Sequence, residues 1–340
     1  MRNSNALPFV AAGLFIVGLV LMLFITPSVV QSPEPTEPPA VVTEAPTENL
    51  TEAPTTEPPT EPPTEPPTDP PAETTPQAEL GLSCRYSFVY DVDAGYALYL
   101  GGDPDDRVAP ASLTKLLTAR AALACMDAED VVTVGDEITW IDPESSVAWL
   151  QSGHQLTVEM LVQGLIMQSG NDAAYTLAVA GGKALAEDAS LDRRQAYGLF
   201  VDEMNRQVRE LGLKNTHFMN PDGIDEEGHY TTVNDLIILS LASIEDPLIM
   251  EYAGMDTADV EFVTGQTCTW RNSNYLLHQE LEFYSPEAIG LKTGSTSNAG
   301  KCLISLFETQ DGRRLLIGVL GSPLDEDRYK DTQILLDLYR

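Results

Sequence analysis

Basic residues are scarce in this sequence. Its 340 residues carry 19 lysines and arginines against 52 aspartates and glutamates, a formal net charge of −33 at pH 7. Phosphate backbones and anionic lipid surfaces both repel such a chain, so no nucleic-acid partner is expected. Histidine is scarcer still. The four, His154, His217, His229 and His278, show no His-x-x-x-His spacing, which argues against a metal hydrolase. The four cysteines, Cys84, Cys125, Cys268 and Cys302, lie far apart with no Cys-x-x-Cys pair, which disfavours zinc ribbons and dithiol redox motifs. Outside the cell they could form disulfides in any of three complete pairings; buried free thiols are the other outcome, and spacing does not choose between them. No metal or cofactor is expected. Aromatic residues make up 7% and hydrophobic residues 43% of the chain, ordinary values for a protein with a packed core.

What the sequence does contain falls into three parts. From Ala6 to Val30 it is almost wholly apolar, long enough to cross a hydrocarbon layer of about 30 Å as a helix. Arg2 precedes this run and only acidic residues follow nearby, so residues 1–32 are expected to be a cytoplasmic tip and a transmembrane signal-anchor, with the rest of the chain extracytoplasmic. Cleavage of this segment would make the protein secreted instead. Residues 33–79 repeat Thr-Glu-Pro-Pro and contain acidic but no basic side chains. Such a stretch cannot bury a core; it favours extended polyproline II and should act as a disordered, self-repelling stalk. Residues 80–340 have the length and periodicities of one folded domain.

Within that domain, Tyr86–Tyr90 and Tyr96–Leu100 read as an opening hairpin. Leu113, Leu116, Leu117 and Leu123 mark a buried helix, Val158, Leu161, Val162 and Leu165 a second, and the stretch 195–211 a more amphipathic third. Three strands are expected near the end, at 288–292, 301–308 and 313–320, then a final helix over 327–339. The expected class is α+β: an antiparallel sheet made from both ends of the domain, covered by helices, with a helical subdomain inserted.

The chemistry begins at Ser112-Leu113-Thr114-Lys115. Residues at i and i+3 of a helix share a face, so the Lys115 amine can reach the Ser112 hydroxyl. A serine is a weak nucleophile until a base takes its proton, and a lysine in apolar surroundings can have its pKa lowered enough to do so. Alone this pair means little, since about one chance match is expected at this length. Two further triplets follow in order. Ser169-Gly170-Asn171 breaks a helix, and Lys292-Thr293-Gly294 closes a predicted strand. Ser-x-x-Lys, Ser-x-Asn and Lys-Thr-Gly together form the three-element signature of penicillin-recognising serine enzymes.

From about Tyr86 to Arg340 the chain resembles the D-alanyl-D-alanine carboxypeptidases, the low-molecular-mass penicillin-binding proteins. The likeness extends to Pro110-Ala111 before the serine, Asn220-Pro221-Asp222-Gly223, Gly228-His229-Tyr230 and Ala299-Gly300. It implies a β-lactamase/transpeptidase-like fold, a peptidoglycan stem peptide ending in D-Ala-D-Ala as substrate, and acylation by β-lactam antibiotics. It also implies roles: Ser112 as nucleophile, Lys115 as its proton acceptor, Ser169 as proton relay, and Asn171 as a substrate-amide contact. Lys292 and Thr293 would bind the terminal carboxylate. Gly294 would leave room for a peptide along the strand edge, and the amides of Ser112 and Ser295 would form the oxyanion hole. The 220–223 segment reads as a turn, and His217 and His229 as structural or surface groups and not bases.

Two other functions fit parts of the pattern. A class A β-lactamase shares the layout, but its middle motif is Ser-Asp-Asn and it needs a Glu-x-x-x-Asn segment, which is missing between the second and third motifs. A non-catalytic wall-binding or sensor module would need no nucleophile beside a base.

Overall fold

The computed structural model describes residues 75–340, so the expected membrane anchor and nearly all of the stalk lie outside the described residues. Among the described residues no helix is long and apolar enough to cross a membrane. The fold takes in the last residues of the segment expected to be stalk. Tyr99 donates its hydroxyl to the Thr75 carbonyl at 3.1 Å, Gln77 donates to the Ser87 hydroxyl at 2.9 Å, and Gln77–Leu80 forms a short helix, α1.

The hairpin β1 (Tyr86–Asp91) and β2 (Tyr96–Gly101) follows. A 3-10 turn, Ala111–Thr114, runs straight into α2 (Lys115–Cys125). The middle of the chain is helical: α3 (Val158–Met167), α4 (Asn171–Leu185), α5 (Arg193–Glu210), α6 (Val233–Ile244) and α7 (Pro247–Gly254). Two small ribbons flank these helices, β3 (Val131–Thr133) with β4 (Gln155–Thr157) and β5 (Thr257–Glu261) with β6 (Thr267–Arg271). Then come β7 (Ala288–Thr296), β8 (Gly300–Glu308), β9 (Arg314–Ser322) and α8 (Asp325–Tyr339). The main sheet has the order β2-β1-β9-β8-β7 and is antiparallel throughout, built from both ends of the domain as the pattern implies.

Both faces of this sheet are covered, which is why its central strands read as nearly continuous apolar runs. Leu303, Phe307, Leu315, Ile317 and Val319 pack with Tyr329, Leu335 and Leu336 of α8. Their alternate neighbours Ile304, Leu306, Leu316 and Leu320 join Leu113, Leu116, Leu117 and the helical core on the other side. A period of two thus sorts one strand between two cores. Gly318 marks the closest approach. A Cβ there would lie 2.0 Å from the ring of Phe88, which is wholly buried on the facing strand. Gly318→Ala should therefore overpack the sheet and cost about 1–3 kcal/mol, read as a lower urea midpoint with unchanged slope; an unmoved midpoint would show that Phe88 yields freely.

Helix starts follow local chemistry. The Thr157 hydroxyl accepts from Met160 N at α3, Asp192 from Arg194 N and Gln195 N at α5, and Asp246 from Leu248 N before Pro247 at α7. At α6 Thr232 caps Asp235 N, while the Asp235 carboxylate turns away to accept from Lys214 N, Asn215 N and the Thr216 hydroxyl. Sequence patterns gave no sign of the two ribbons or of α7, and they ended β7 too early. That strand continues through Lys292-Thr293-Gly294 to Thr296, because after an irregularity between Ala288 and Gly290 its pairing with β8 runs unbroken to Thr296 opposite Gly300. All four cysteines are free thiols.

Candidate active site

Ser112 and Lys115 sit where a 3-10 turn becomes an α-helix. Three residues per turn bring i and i+3 into line, a tighter alignment than the α-helix expected from sequence. Lys115 Nζ donates to Ser112 Oγ at 2.8 Å and to the Asp222 carbonyl at 2.7 Å. The lysine is fully buried, and burial pushes its pKa from 10.5 down to about 8, against the opposing pull of the Asp222 and Asp172 charges. Backbone strain frames the turn. Ala111 has φ 50°, a left-handed conformation costing roughly 1–2 kcal/mol for an L-residue. Gly223, at φ +89°, fits against it so closely that a Cβ would lie 1.9 Å from the Ala111 carbonyl oxygen. His229 holds the same turn from below. Its Nδ1 accepts from Met219 N at 3.0 Å, so Nε2 carries the proton and donates to the Thr114 hydroxyl at 2.9 Å. Burial lowers its pKa to about 4, consistent with a neutral structural histidine.

The second triplet forms the link between α3 and α4. Ser169 is also left-handed, with φ 55°, and Asn171 opens α4. Asn171 Nδ2 donates to Ser145 Oγ at 2.8 Å and to Asp222 Oδ2 at 2.7 Å. The loop before it is tied down by Asp172, whose carboxylate accepts from Ala148 N and Leu150 N at 2.8 and 2.9 Å. Ser146 Oγ donates to the Ser169 carbonyl at 2.7 Å. The Ser169 side chain is buried but bonds to neither lysine.

The third triplet lies on β7, the outer strand of the sheet, paired on one side only. Lys292 is buried and donates to the Thr293 carbonyl at 3.1 Å; burial, then the Lys115 and Arg328 charges, hold its pKa well below the ordinary lysine value. The Thr293 and Ser273 hydroxyls are 2.6 Å apart. Gly294 also has a packing role beside the one its family resemblance implies. A Cβ there would stand 3.1 Å from Ala111 Cβ and 3.2 Å from Ser112 N, so the glycine lets the strand close on the serine turn. Beneath it the buried Arg328 guanidinium donates to the Gly294 and Cys302 carbonyls at 3.3 Å. Ser295 is exposed and accepts from Lys301 Nζ at 2.9 Å.

A cavity of about 320 Å³ has Ser112, Asn171 and Ser295 on its wall beside Ser145, Asp222 and Thr296, whereas Ser169, Lys292, Thr293 and Gly294 do not line it. Lys115 lies directly behind Ser112, and Gly294 behind its amide. A wider cavity of about 580 Å³, lined by Val131, Thr176, Val179 and Arg193, holds none of the motif residues. The Ser112–Lys115 contact, not size, identifies the site. Sequence reasoning missed Asp222, Ser145, Ser273 and Arg328. Only Asp222 carried a signal, an acidic residue inside one of the quoted blocks, and its turn-forming composition masked it. A hydroxyl bonded to a buried amine whose pKa is pushed down to about 8 can attack an electrophilic carbonyl once that amine is neutral.

Comparison with known proteins agrees with this chemistry. A sequence model described as D-alanyl-D-alanine carboxypeptidase matches residues 72–323. The D-alanyl-D-alanine carboxypeptidase DacC of Escherichia coli is 33% identical over 277 residues, 78% of this chain and 63% of that protein. DacF of Bacillus subtilis is 29% identical over 264 residues, 76% of this chain and 63% of that protein. The chain thus spans 63% of the length of these two curated relatives. Among solved structures, the Streptomyces K15 DD-transpeptidase is similar with a TM-score of 0.68 and 29% identity, covering 75% of this chain and 96% of that one. Penicillin-binding protein D2 of Listeria monocytogenes in its ampicillin-bound form gives a TM-score of 0.60 at 29% identity, covering 76% and 97%.

Proposed function

Because the chain belongs to the D-alanyl-D-alanine carboxypeptidase family, we propose that it is a serine hydrolase that removes the terminal D-alanine from peptidoglycan stem peptides and is acylated by penicillins at the same serine. The observation that carries this is the 2.8 Å contact between Ser112 Oγ and the buried Lys115 amine. Ser112 Oγ attacks the carbonyl carbon of the penultimate D-alanine, and its proton passes to Lys115. The amide bond to the terminal D-alanine then breaks, and that proton reaches the leaving amine through the Ser169 hydroxyl, which must first turn toward Lys115 because it bonds to neither lysine. Water hydrolyses the resulting ester and frees Ser112. The amides of Ser112 and Ser295 bind the oxyanion, each contributing about 3 kcal/mol to lowering the barrier. Asn171 contacts the substrate amide. Lys292 and Thr293 take the terminal carboxylate; an arriving carboxylate raises the pKa of Lys292 and restores the charge that burial has weakened. The outer edge of β7 offers main-chain groups along which the peptide lies.

This domain is held outside the membrane by the apolar segment 6–30, with the Pro/Thr/Glu-rich stretch as spacer. The direct test incubates the full chain with a peptide ending in D-Ala-D-Ala and follows free D-alanine by mass. Release of one D-alanine per peptide is expected, and none across pH 7 to 9 would remove the hydrolase assignment.

A further inference from the structure

Asp222 touches two of the three motifs at once. Its main-chain carbonyl accepts from Lys115 Nζ at 2.7 Å, and its carboxylate accepts from Asn171 Nδ2 at 2.7 Å. The side chain is 2% exposed, and the residue lines the same cavity as Ser112. A carboxylate only accepts hydrogen bonds, so its presence fixes which end of the Asn171 amide faces it. The other Nδ2 hydrogen goes to Ser145 Oγ at 2.8 Å on the cavity wall, so the carboxylate anchors the amide from its buried side. The Lys115 amine is held the same way. A neutral amine that gives one proton to the Asp222 carbonyl has its lone pair directed elsewhere, and Ser112 Oγ is its other neighbour.

We propose that Asp222 is a positioning residue for the acylation step: its carboxylate sets the orientation of the Asn171 amide while its carbonyl aims the Lys115 amine at Ser112. This rests on the serine-acylation mechanism above and deepens it. The 220–223 turn supplies the rigidity. Gly223 N donates to Asn220 Oδ1 at 2.8 Å and the Thr118 hydroxyl donates to the Pro221 carbonyl at 2.6 Å, so Asp222 is anchored on both sides. Its charge acts as well. Lys115 faces Asp222 and Asp172, which favour its protonated form, and Lys292 as a like charge; Asp222 faces Lys115, Glu226 and the Tyr175 and Tyr197 hydroxyls.

Two variants of the full chain separate hydrogen bond from charge. Asp222→Asn keeps an acceptor oxygen toward Asn171 but no charge, whereas Asp222→Ala keeps neither. Acylation by a fluorescent penicillin is followed from pH 5.5 to 9.5, with melting temperatures as a check on folding. Asp222→Ala should acylate about tenfold or more slowly than the parent, and Asp222→Asn should recover most of that loss. In both, the acid limb of the rate profile should move to lower pH, because the charge that favours protonated Lys115 is gone. If Asp222→Ala does not fold, the shifted limb of Asp222→Asn decides alone. Parent-like rate and profile in a folded Asp222→Ala, or an unshifted limb in Asp222→Asn, overturns the assignment. A parent protein that does not label at all would instead refute the acylation mechanism itself.

Discussion

Ser112→Ala should take up no fluorescent penicillin and release D-alanine at least about 10⁴-fold more slowly than the parent, since removing a nucleophile forfeits most of what the whole constellation contributes. The change is small in every other respect. Ser112 is half-buried at the cavity wall, and its hydroxyl has one described partner, Lys115 Nζ. The fold should survive, with a melting temperature within a few degrees of the parent, because the turn is held by Gly223, Gly294 and His229 rather than by the serine side chain. Gel fluorescence after denaturation separates covalent from reversible attachment. Full labelling of the variant would mean that another nucleophile carries the acyl group, and the serine mechanism would be wrong.

The second large effect concerns Lys115 and its sign is set by burial. The neutral amine is the form that accepts the serine proton, and its pKa is pushed down to about 8. Below that value most molecules hold the amine protonated, so acylation should rise with pH by about fifty-fold between pH 6 and pH 8 and level off above. Lys115→Met should abolish this limb and slow acylation by about 10³-fold or more. Stability should move the other way. The thioether has nearly the volume of the lysine stem and carries no charge to desolvate, so the variant should denature at the same or a higher urea concentration than the parent. A variant that loses activity and stability together would indicate that the lysine holds the turn in place and is not primarily a base.

The elements were legible where periodicity is strong. The hairpin Tyr86–Asp91 with Tyr96–Gly101, the capped helix after Thr157 and the three terminal strands all follow patterns of two or 3.6 residues, and the structure has them within a few residues of expectation. Burial on both sheet faces erased the alternation that would have carried β7 through the Lys-Thr-Gly triplet, so its length was underread. In the candidate site, Ser112, Lys115 and Asn171 were visible because they stand in short motifs of fixed spacing whose side-chain types suit the proposed chemistry. Asp222 was hidden for the opposite reason. Half of its contribution is a main-chain carbonyl, which every residue has, and the other half is a contact across 51 positions to Asn171 that no local pattern records. Gly294 was visible, but its close approach to the Ser112 turn was not, because contact between two backbones is a property of packing.

The way the main sheet is stitched also dictates when activity can first exist. Tyr86 at the start of β1 pairs with Leu320 in β9, and Lys292 sits on a strand that reaches β1 only through β8 and β9. During synthesis, the nucleophile and its base emerge with the first half of the chain, yet the platform that carries the second amine cannot close until more than 200 later residues have appeared. A ribosome-bound chain ending before Arg314 therefore carries Ser-x-x-Lys, Ser-x-Asn and Lys-Thr-Gly in full and still has no β9 to join its two ends.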